Sequence, residues 1–136
     1  MSRRLVAFIV ILVAVVAMPT GSTAHTVSSA TKISSAKLPR GSLRSGQRVI
    51  VFGQLTALDA ACESGRSVQL MRRVPGNDRV LETDSTDTEG EYSFLRRPRG
   101  DQRLYVRFVA VQEVIPEHLH SCAASVSKQF ELNVRG

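Results

Sequence analysis

The sequence has no tryptophan, only two tyrosines, and an aromatic content of 5% over 136 residues. Proteins that bind single-stranded nucleic acids stack bases on aromatic side chains set among basic residues. Modules that bind glycans stack sugar rings on aromatic side chains in a similar way. No basic stripe interleaved with aromatics occurs here, so the composition predicts neither a nucleic-acid partner nor a sugar-binding platform.

Recognisable enzyme motifs are also missing. The chain contains no Gly-x-Ser-x-Gly elbow, no glycine-rich phosphate loop and no His-Glu-x-x-His pair, each of which holds reactive groups in a fixed geometry. Two cysteines remain as candidate nucleophiles, but export oxidises thiols, and nucleophilic attack requires a thiolate. We therefore expect a protein that is not an enzyme and uses no cofactor.

The first 24 residues have the three parts of a secretory signal peptide. Arg3 and Arg4 precede an uncharged apolar run over residues 5–18, and small or turn-forming residues follow up to Ala24. This run is shorter than the roughly 20 residues that cross a bilayer as a helix. We expect cleavage after Ala24, which lowers the formal net charge from +6 to +4. The alternative is an uncleaved segment that anchors the chain to a membrane.

Cys62 and Cys122 are the only two cysteines. In an exported chain they are most simply a disulfide, because oxidising compartments form and keep such bonds. The two cysteines are 60 residues apart, and for a loop of that length chain entropy gives a stabilisation of about 4 kcal/mol. A small domain, with a total stability of about 5–15 kcal/mol, depends heavily on such a contribution.

The chain divides into two parts after the signal segment. Residues 25–45 are mostly Ser, Thr, Ala, Lys and Gly, which predicts a flexible leader. Residues 46–136 contain short β-type runs separated by turn signals, and in one run Leu104, Val106 and Phe108 alternate with polar neighbours. A Pro-Gly-Asn-Asp turn joins two other runs into a hairpin. Strands with one apolar face need a second sheet to cover it, so we predict one all-β domain, an antiparallel β-sandwich of about seven strands.

Three stretches of the sequence resemble segments of known β-domains. Residues 45–55 read Ser-Gly-Gln-Arg-Val-Ile-Val-Phe-Gly-Gln-Leu, residues 62–72 begin Cys-x-x-Gly-Arg-Ser-Val, and residues 86–94 read Thr-Asp-x-x-Gly-x-Tyr-Ser-Phe. The first two resemble the opening strands of exported bacterial immunoglobulin-like domains. The third resembles a turn and strand of carboxypeptidase regulatory-like, or transthyretin-like, domains. This resemblance implies the sandwich fold, an extracellular setting and a role as spacer, adhesion module or appendage of a secreted enzyme.

Arginine supplies most of the positive charge, and several arginines fall in or beside predicted turns. Guanidinium groups suit phosphate and carboxylate, so we predict a binding surface for an extracellular protein or an anionic polymer of the cell envelope. Residues 99–101 also form the tripeptide Arg-Gly-Asp, which adhesive ligands use, although Gly-Asp is common in turns. The predicted surface consists of Arg72, Arg73, Arg79, Arg96, Arg97, Arg99 and Arg103.

Two clusters contain residue types that bind metals. His118, His120 and Cys122 would share one face of a strand and suit zinc or copper. If Cys122 forms a disulfide only two imidazoles remain, so we expect this segment to be a polar loop. Acidic residues around the Gly90 turn offer oxygen ligands to calcium, although their spacing does not fit an EF-hand loop. These acidic residues are Asp84, Asp87, Glu89 and Glu91.

These features together predict a non-catalytic secreted or cell-envelope module that acts by surface recognition or as a structural or adhesion domain. The alternative is a carrier of a small ligand or of calcium. A carrier would need a pocket lined by apolar side chains such as Phe52, Tyr92 or Phe108. A membrane is a partner only if the signal segment stays uncleaved.

Overall fold

The computed structural model describes residues 25–115 and 118–136, and the predicted signal segment 1–24 lies outside them. This described part is all-β: apart from one turn of 3₁₀ helix at Ala60–Cys62, its regular structure consists of strands. None of its helical structure is long and apolar enough to cross a membrane. In chain order the strands are β1 His25–Ser29, β2 Thr31–Ile33, β3 Ala36–Leu38, β4 Leu43–Arg44, β5 Val49–Ala57, β6 Ser67–Arg72, β7 Arg79–Ser85, β8 Glu91–Arg96, β9 Gln102–Phe108, β10 Val111–Ile115, β11 His118–Cys122, β12 Ser125–Val126, β13 Phe130–Leu132 and β14 Val134–Arg135.

The first sheet is built on β5, the longest strand. Val49, Val51 and Leu55 of this strand are buried and alternate with more exposed neighbours. β8 pairs antiparallel with one edge of β5, and Val51 lies opposite Phe94. β2 and β3 pair antiparallel with the other edge in one common register. The sheet therefore presents one apolar face to the interior.

β2 and β3 are separated where Tyr92 reaches across the sheet. Tyr92 is buried, and its hydroxyl donates a hydrogen bond to the carbonyl of Ser34. A Cβ atom at Gly53 would clash with both the hydroxyl and that carbonyl. Gly53 thus allows a side chain to approach the backbone closely, one of the uses of glycine inside a strand. Burial raises the pKa of Tyr92, which keeps the hydroxyl protonated as a donor.

The second sheet has the order β7–β6–β9, and both β12 and β13 pair with the far edge of β9. All these pairs are antiparallel. The predicted hairpin of β6 and β7 is confirmed, with Arg72 opposite Arg79 and a bulge at Leu70 and Met71. The predicted alternation along β9 is also confirmed, since its apolar residues are buried and its polar ones are not.

Side chains from both sheets form one hydrophobic core. Phe94 on β8 and Phe108 on β9 are its largest fully buried members, and the cluster includes Cys62 and Cys122. Burying one such large apolar side chain stabilises the fold by about 1.5–3 kcal/mol. The apolar face of each sheet, which the sequence predicts, is therefore covered by the apolar face of the other sheet.

Two further pairings connect segments that are distant in sequence. β10 and β11 form an antiparallel hairpin, and β1 pairs in parallel with β11, so that His25 is the register partner of His118 and Ser29 that of Cys122. β4 likewise pairs in parallel with β14. Both early strands are thus held by strands from the C-terminal part of the chain.

The prediction of a flexible leader at residues 25–45 differs from the structure. This segment forms β1 to β4 and contributes Ile33 and Leu43 to the hydrophobic core. Its polar composition hid these strands, because short edge strands are held by backbone hydrogen bonds and need few apolar side chains. The β-domain therefore begins before Gly46, and the described residues form fourteen short strands where about seven were expected.

Candidate functional site

The strand registers place the seven predicted arginines at one end of the molecule. β6 ends and β7 begins at this end. Because β6 and β9 run antiparallel, β9 begins at the same end, and β8 ends just before it in the chain. The amide of Arg73 donates to the carbonyl of Arg103 at 2.9 Å, which joins the two loops. We call this region the arginine end, and it contains Arg72, Arg73, Arg79, Arg96, Arg97, Arg99 and Arg103.

Two of these arginines line an open groove of about 530 Å³. The side chains of Arg73 and Arg103 are 53% and 59% exposed, and each meets a carboxylate of the same groove. Arg73 Nη1 lies 3.3 Å from Asp78 Oδ2, and Arg103 Nη2 lies 2.8 Å from Glu131 Oε1. The groove therefore neutralises its own charge, and exposed pairs of this kind contribute only about 0–1 kcal/mol.

Asp78 is fixed at the edge of this groove. Its Oδ2 accepts a hydrogen bond of 2.7 Å from the Tyr105 hydroxyl, in addition to the contact with Arg73. The Tyr105 hydrogen bond, followed by the one from Arg73, lowers the pKa of Asp78. Burial, followed by the hydrogen bond to Asp78, raises the pKa of Tyr105. The pair is thus held as a carboxylate and a phenol at neutral pH.

The other arginines of the arginine end lie outside the groove. Arg96 Nη1 is 3.7 Å from Glu82 Oε2, a distant pair between β8 and β7. Arg72 and Arg79 are register partners on β6 and β7, so two cations sit directly opposite each other. Like charges at such positions repel. Within residues 25–115 and 118–136, none of Arg72, Arg79, Arg97 and Arg99 makes an ion pair.

The Arg-Gly-Asp tripeptide has a structural contact. Asp101 Oδ1 accepts a hydrogen bond of 2.7 Å from the amide of Val134. This contact fixes the start of β14 beside the β8–β9 loop. The aspartate is therefore engaged by the backbone of its own domain, while Arg99 and Gly100 are exposed.

The acidic residues around Gly90 also bind backbone amides. Asp87 Oδ1 accepts hydrogen bonds of 2.9 Å from the amides of both Glu89 and Glu91, which is an Asx-type turn. Asp84 Oδ2 accepts a hydrogen bond of 3.1 Å from the amide of Ser93. Across the described chain no three side chains of His, Cys, Asp or Glu converge on a metal position. Among the described residues, the turn at Gly90 therefore provides no set of side chains that could bind calcium.

The side chains proposed to line a carrier pocket do not form one. Phe108 and Tyr92 are buried in the core, and Phe52 is 37% exposed on the outer face of the first sheet. Phe52 borders a second open groove of about 590 Å³, whose lining also includes Asp84, Asp87 and Glu91. This groove is open and its lining is polar and apolar in about equal parts, whereas sites for small apolar ligands are concave and mostly apolar.

The opposite end of the molecule is cross-linked. The predicted disulfide is confirmed: Cys62 and Cys122 are joined, with their Cα atoms 5.6 Å apart, and both residues are buried. Arg66 makes a two-pronged contact with Glu113 of β10, at 2.5 and 3.0 Å. His120 Nδ1 lies 3.0 Å from Asp59 Oδ2. We call this region the disulfide end, defined by Asp59, Cys62, Arg66, Glu113, His120 and Cys122.

Hydrogen bonds at the disulfide end favour the ionised carboxylates. The amide of Ala61, followed by the side chain of His120, lowers the pKa of Asp59. The guanidinium of Arg66 lowers the pKa of Glu113, and that hydrogen bond raises the pKa of Arg66 in turn. At neutral pH these groups are therefore fixed charges that hold β10 and β11 against the rest of the domain.

The segment expected to be a polar loop is strand β11. His118 and His120 are two residues apart on it, and their ring centroids are 6.4 Å apart in an edge-to-face arrangement. Cys122 belongs to the disulfide and supplies no ligand. The strand periodicity predicted for the two histidines is thus present, without the third ligand from Cys122.

Sequence reasoning missed the partners that organise both ends. Asp78 and Glu131 at the arginine end, and Asp59, Arg66 and Glu113 at the disulfide end, come from separate strands and loops. Their separations in sequence follow no helical or strand period, so only the strand registers bring them together. One local signal was available: Asp59 precedes a helical turn and accepts from Ala61, as an N-terminal cap does.

No protein-family model matches the chain, and no curated protein matches it either.

Proposed function

We propose that this chain is an exported, non-catalytic β-sandwich module of immunoglobulin-like or transthyretin-like type, which binds an anionic partner through its arginine end. Two sheets with a shared core and a buried disulfide support the sandwich and the oxidising compartment. The signal-like residues 1–24 support export. The partner is an anionic polymer of the cell envelope or an acidic surface of an extracellular protein.

The observation that carries the proposal is the register pairing of Arg72 with Arg79. Like charges directly opposite each other in a sheet destabilise it, and neither guanidinium has a counter-ion among the described residues. A phosphate or carboxylate placed between them removes that repulsion and accepts hydrogen bonds from both. Arg97 and Arg99 extend the unneutralised charge along the neighbouring loop, which suits a partner with several anionic groups.

The test is binding of inorganic polyphosphate to the exported protein at two salt concentrations. Arg79→Gln should weaken binding by about tenfold, or about 1.4 kcal/mol. Lys32→Gln is the matched control, because it removes one exposed positive charge from β2, away from the arginine end. Binding should fall steeply between about 0.01 M and 0.15 M salt, where the Debye length shrinks from about 30 to about 8 Å. Equal affinities for the two variants, or salt-independent binding, would overturn the proposal.

A further inference from the structure

The outer face of the first sheet carries a row of exposed apolar side chains. Leu38 on β3, Ile50 on β5 and Leu95 on β8 are register partners, so they lie side by side across three strands. Their exposed fractions are 50%, 41% and 50%, and Phe52, on the same face of β5, is 37% exposed. We call these four side chains the apolar patch. They expose roughly 300–400 Å², a size at which an apolar patch on a monomer is often functional.

The apolar patch lies between groups of opposite charge. Exposed and buried residues alternate along β8, which begins at Glu91. Arg97 directly follows β8 and is exposed, so it continues the outward-facing series beyond Leu95. Among the described residues neither Glu91 nor Arg97 makes an ion pair. About 20 Å of strand separates the two, so the face has an acidic end, an apolar middle and a basic end.

The acidic end contains a groove with room for an arginine side chain. The open groove of about 590 Å³ beside Phe52 is lined by Asp84, Asp87 and Glu91, and none of its described lining residues is a lysine or an arginine. Asp84 and Asp87 already accept hydrogen bonds from backbone amides. Guanidinium groups pair with carboxylates through two parallel hydrogen bonds. The groove therefore suits an arginine from outside this copy of the chain.

We propose that the apolar patch is the interface of a symmetric dimer, in which a second copy of this chain packs against it with its strands antiparallel. Its two-fold axis crosses the strands between Ile50 and Phe52, which is the level of position 94 on β8. Position 94 is midway between positions 91 and 97, so Glu91 of each copy faces Arg97 of the other. An axis parallel to the strands would place like charges together, and they would repel. Charge complementarity therefore selects the antiparallel arrangement.

The size of the interface indicates a weak dimer. Two facing apolar patches bury roughly 600–800 Å², and the charged residues beside them bring the total near the roughly 1,200 Å² at which specific complexes begin. We expect a dissociation constant of about 10–100 μM. Arg72 and Arg79 lie on the second sheet and stay accessible in this dimer. Dimerisation and polyphosphate binding can therefore fail independently of each other.

The test is sedimentation velocity of the exported protein over a range of concentrations, without any polyanion. The mass should rise from that of one copy to that of two. Ile50→Thr and Phe52→Thr should each weaken the dimer by at least about tenfold, because a symmetric interface contains each substituted residue twice. Threonine keeps the β-branched shape that strands favour, and an unchanged urea midpoint would verify the fold. Monomers at about 1 mM would overturn the proposal and leave the patch to a different partner.

Charge reversal tests the orientation of the two copies. Arg97→Glu and Glu91→Arg each turn both attractive contacts into repulsive ones, so each variant alone should dimerise about tenfold more weakly or worse. A mixture of the two variants should form a heterodimer, because a glutamate then faces an arginine at both contacts. Arg79→Glu is the matched control, since it makes the same change in net charge on the second sheet and should dimerise like the unaltered protein. A mixture that associates no better than either variant alone would contradict the antiparallel arrangement.

Discussion

The two ends of this domain use charge in opposite ways. At the disulfide end, Arg66 and Glu113 form a two-pronged pair in which the arginine side chain is only 11% exposed, next to a buried covalent bond. At the arginine end, Arg103 and Glu131 are both more than half exposed, and Arg72 faces Arg79 with no counter-ion among the described residues. Charged groups that are shielded from water and paired with each other stabilise a fold, whereas charged groups that are exposed and unpaired are available to a partner.

The largest expected effect is removal of the disulfide. Replacing both Cys62 and Cys122 with alanine should lower the free energy of unfolding by about 4 kcal/mol, because the unfolded chain regains the freedom of a 60-residue loop. Urea denaturation of the double variant measures this. A loss below about 1 kcal/mol would show that the non-covalent contacts of the disulfide end suffice without the bond.

The packing of the two ends can be compared at two glycines that have similar positive φ angles. Gly90 near the disulfide end has φ +80° and a Cβ there would clash with the Leu55 carbonyl, whereas Gly76 at the arginine end has φ +88° and open space around it. Left-handed geometry costs about 1–2 kcal/mol for a residue with a Cβ. Gly76→Ala should cost that amount, and Gly90→Ala should cost at least about 1 kcal/mol more. Equal shifts of the urea midpoint would contradict the tighter packing near Gly90.

Acid should weaken the disulfide end through Glu113 and Asp59. Both pKa values are lowered in the folded protein, so their stabilisation is complete above the ordinary values of 4.5 and 3.8 and is lost as pH falls through the lowered values. Glu113→Gln should reduce stability at pH 7, and its curve of stability against pH should approach that of the unaltered protein in acid. A constant gap between the two curves down to about pH 2 would contradict this coupling.

The smallest effect is expected for the pair at the groove. A double-mutant cycle on Arg103 and Glu131 should give a coupling energy within about 0.5 kcal/mol of zero, because both side chains are exposed. The same cycle on Arg66 and Glu113 should give a clearly larger coupling, since the arginine is shielded. Similar values for both cycles would remove the distinction between the two ends.

Local patterns predicted the central strands well. Alternating apolar residues identified β9, the resemblance of residues 86–94 to a known turn and strand covered the start of β8, and the Pro-Gly-Asn-Asp turn identified the β6–β7 hairpin. The disulfide followed from the compartment and the cysteine count, and its partners are those expected. The strands and the turn depend on patterns of a few neighbouring residues, and two cysteines allow only one pairing within the chain. The sequence alone was therefore sufficient to predict these features.

Long-range pairings were not predictable in the same way. β1 to β4 contain mostly polar residues, and their backbone hydrogen bonds to distant strands leave no period in the sequence. The position of His25 beside His118 depends entirely on such a pairing. Alternation along residues 126–134 would turn Val126 inward, but Val126 is 66% exposed, because this stretch forms three short strands and not one.

The parallel pairing of early with late strands has a consequence for how the domain assembles. Residues 25–29 find their partners only at residues 118–122, and residues 43–44 only at residues 134–135. A chain that emerges from its N-terminus therefore cannot complete these two pairings until residues 122 and 135 have emerged. Contacts between such distant residues slow folding. Pairing of β1 therefore waits until β11 has been made, so the first strand of the domain is added late to its small sheet.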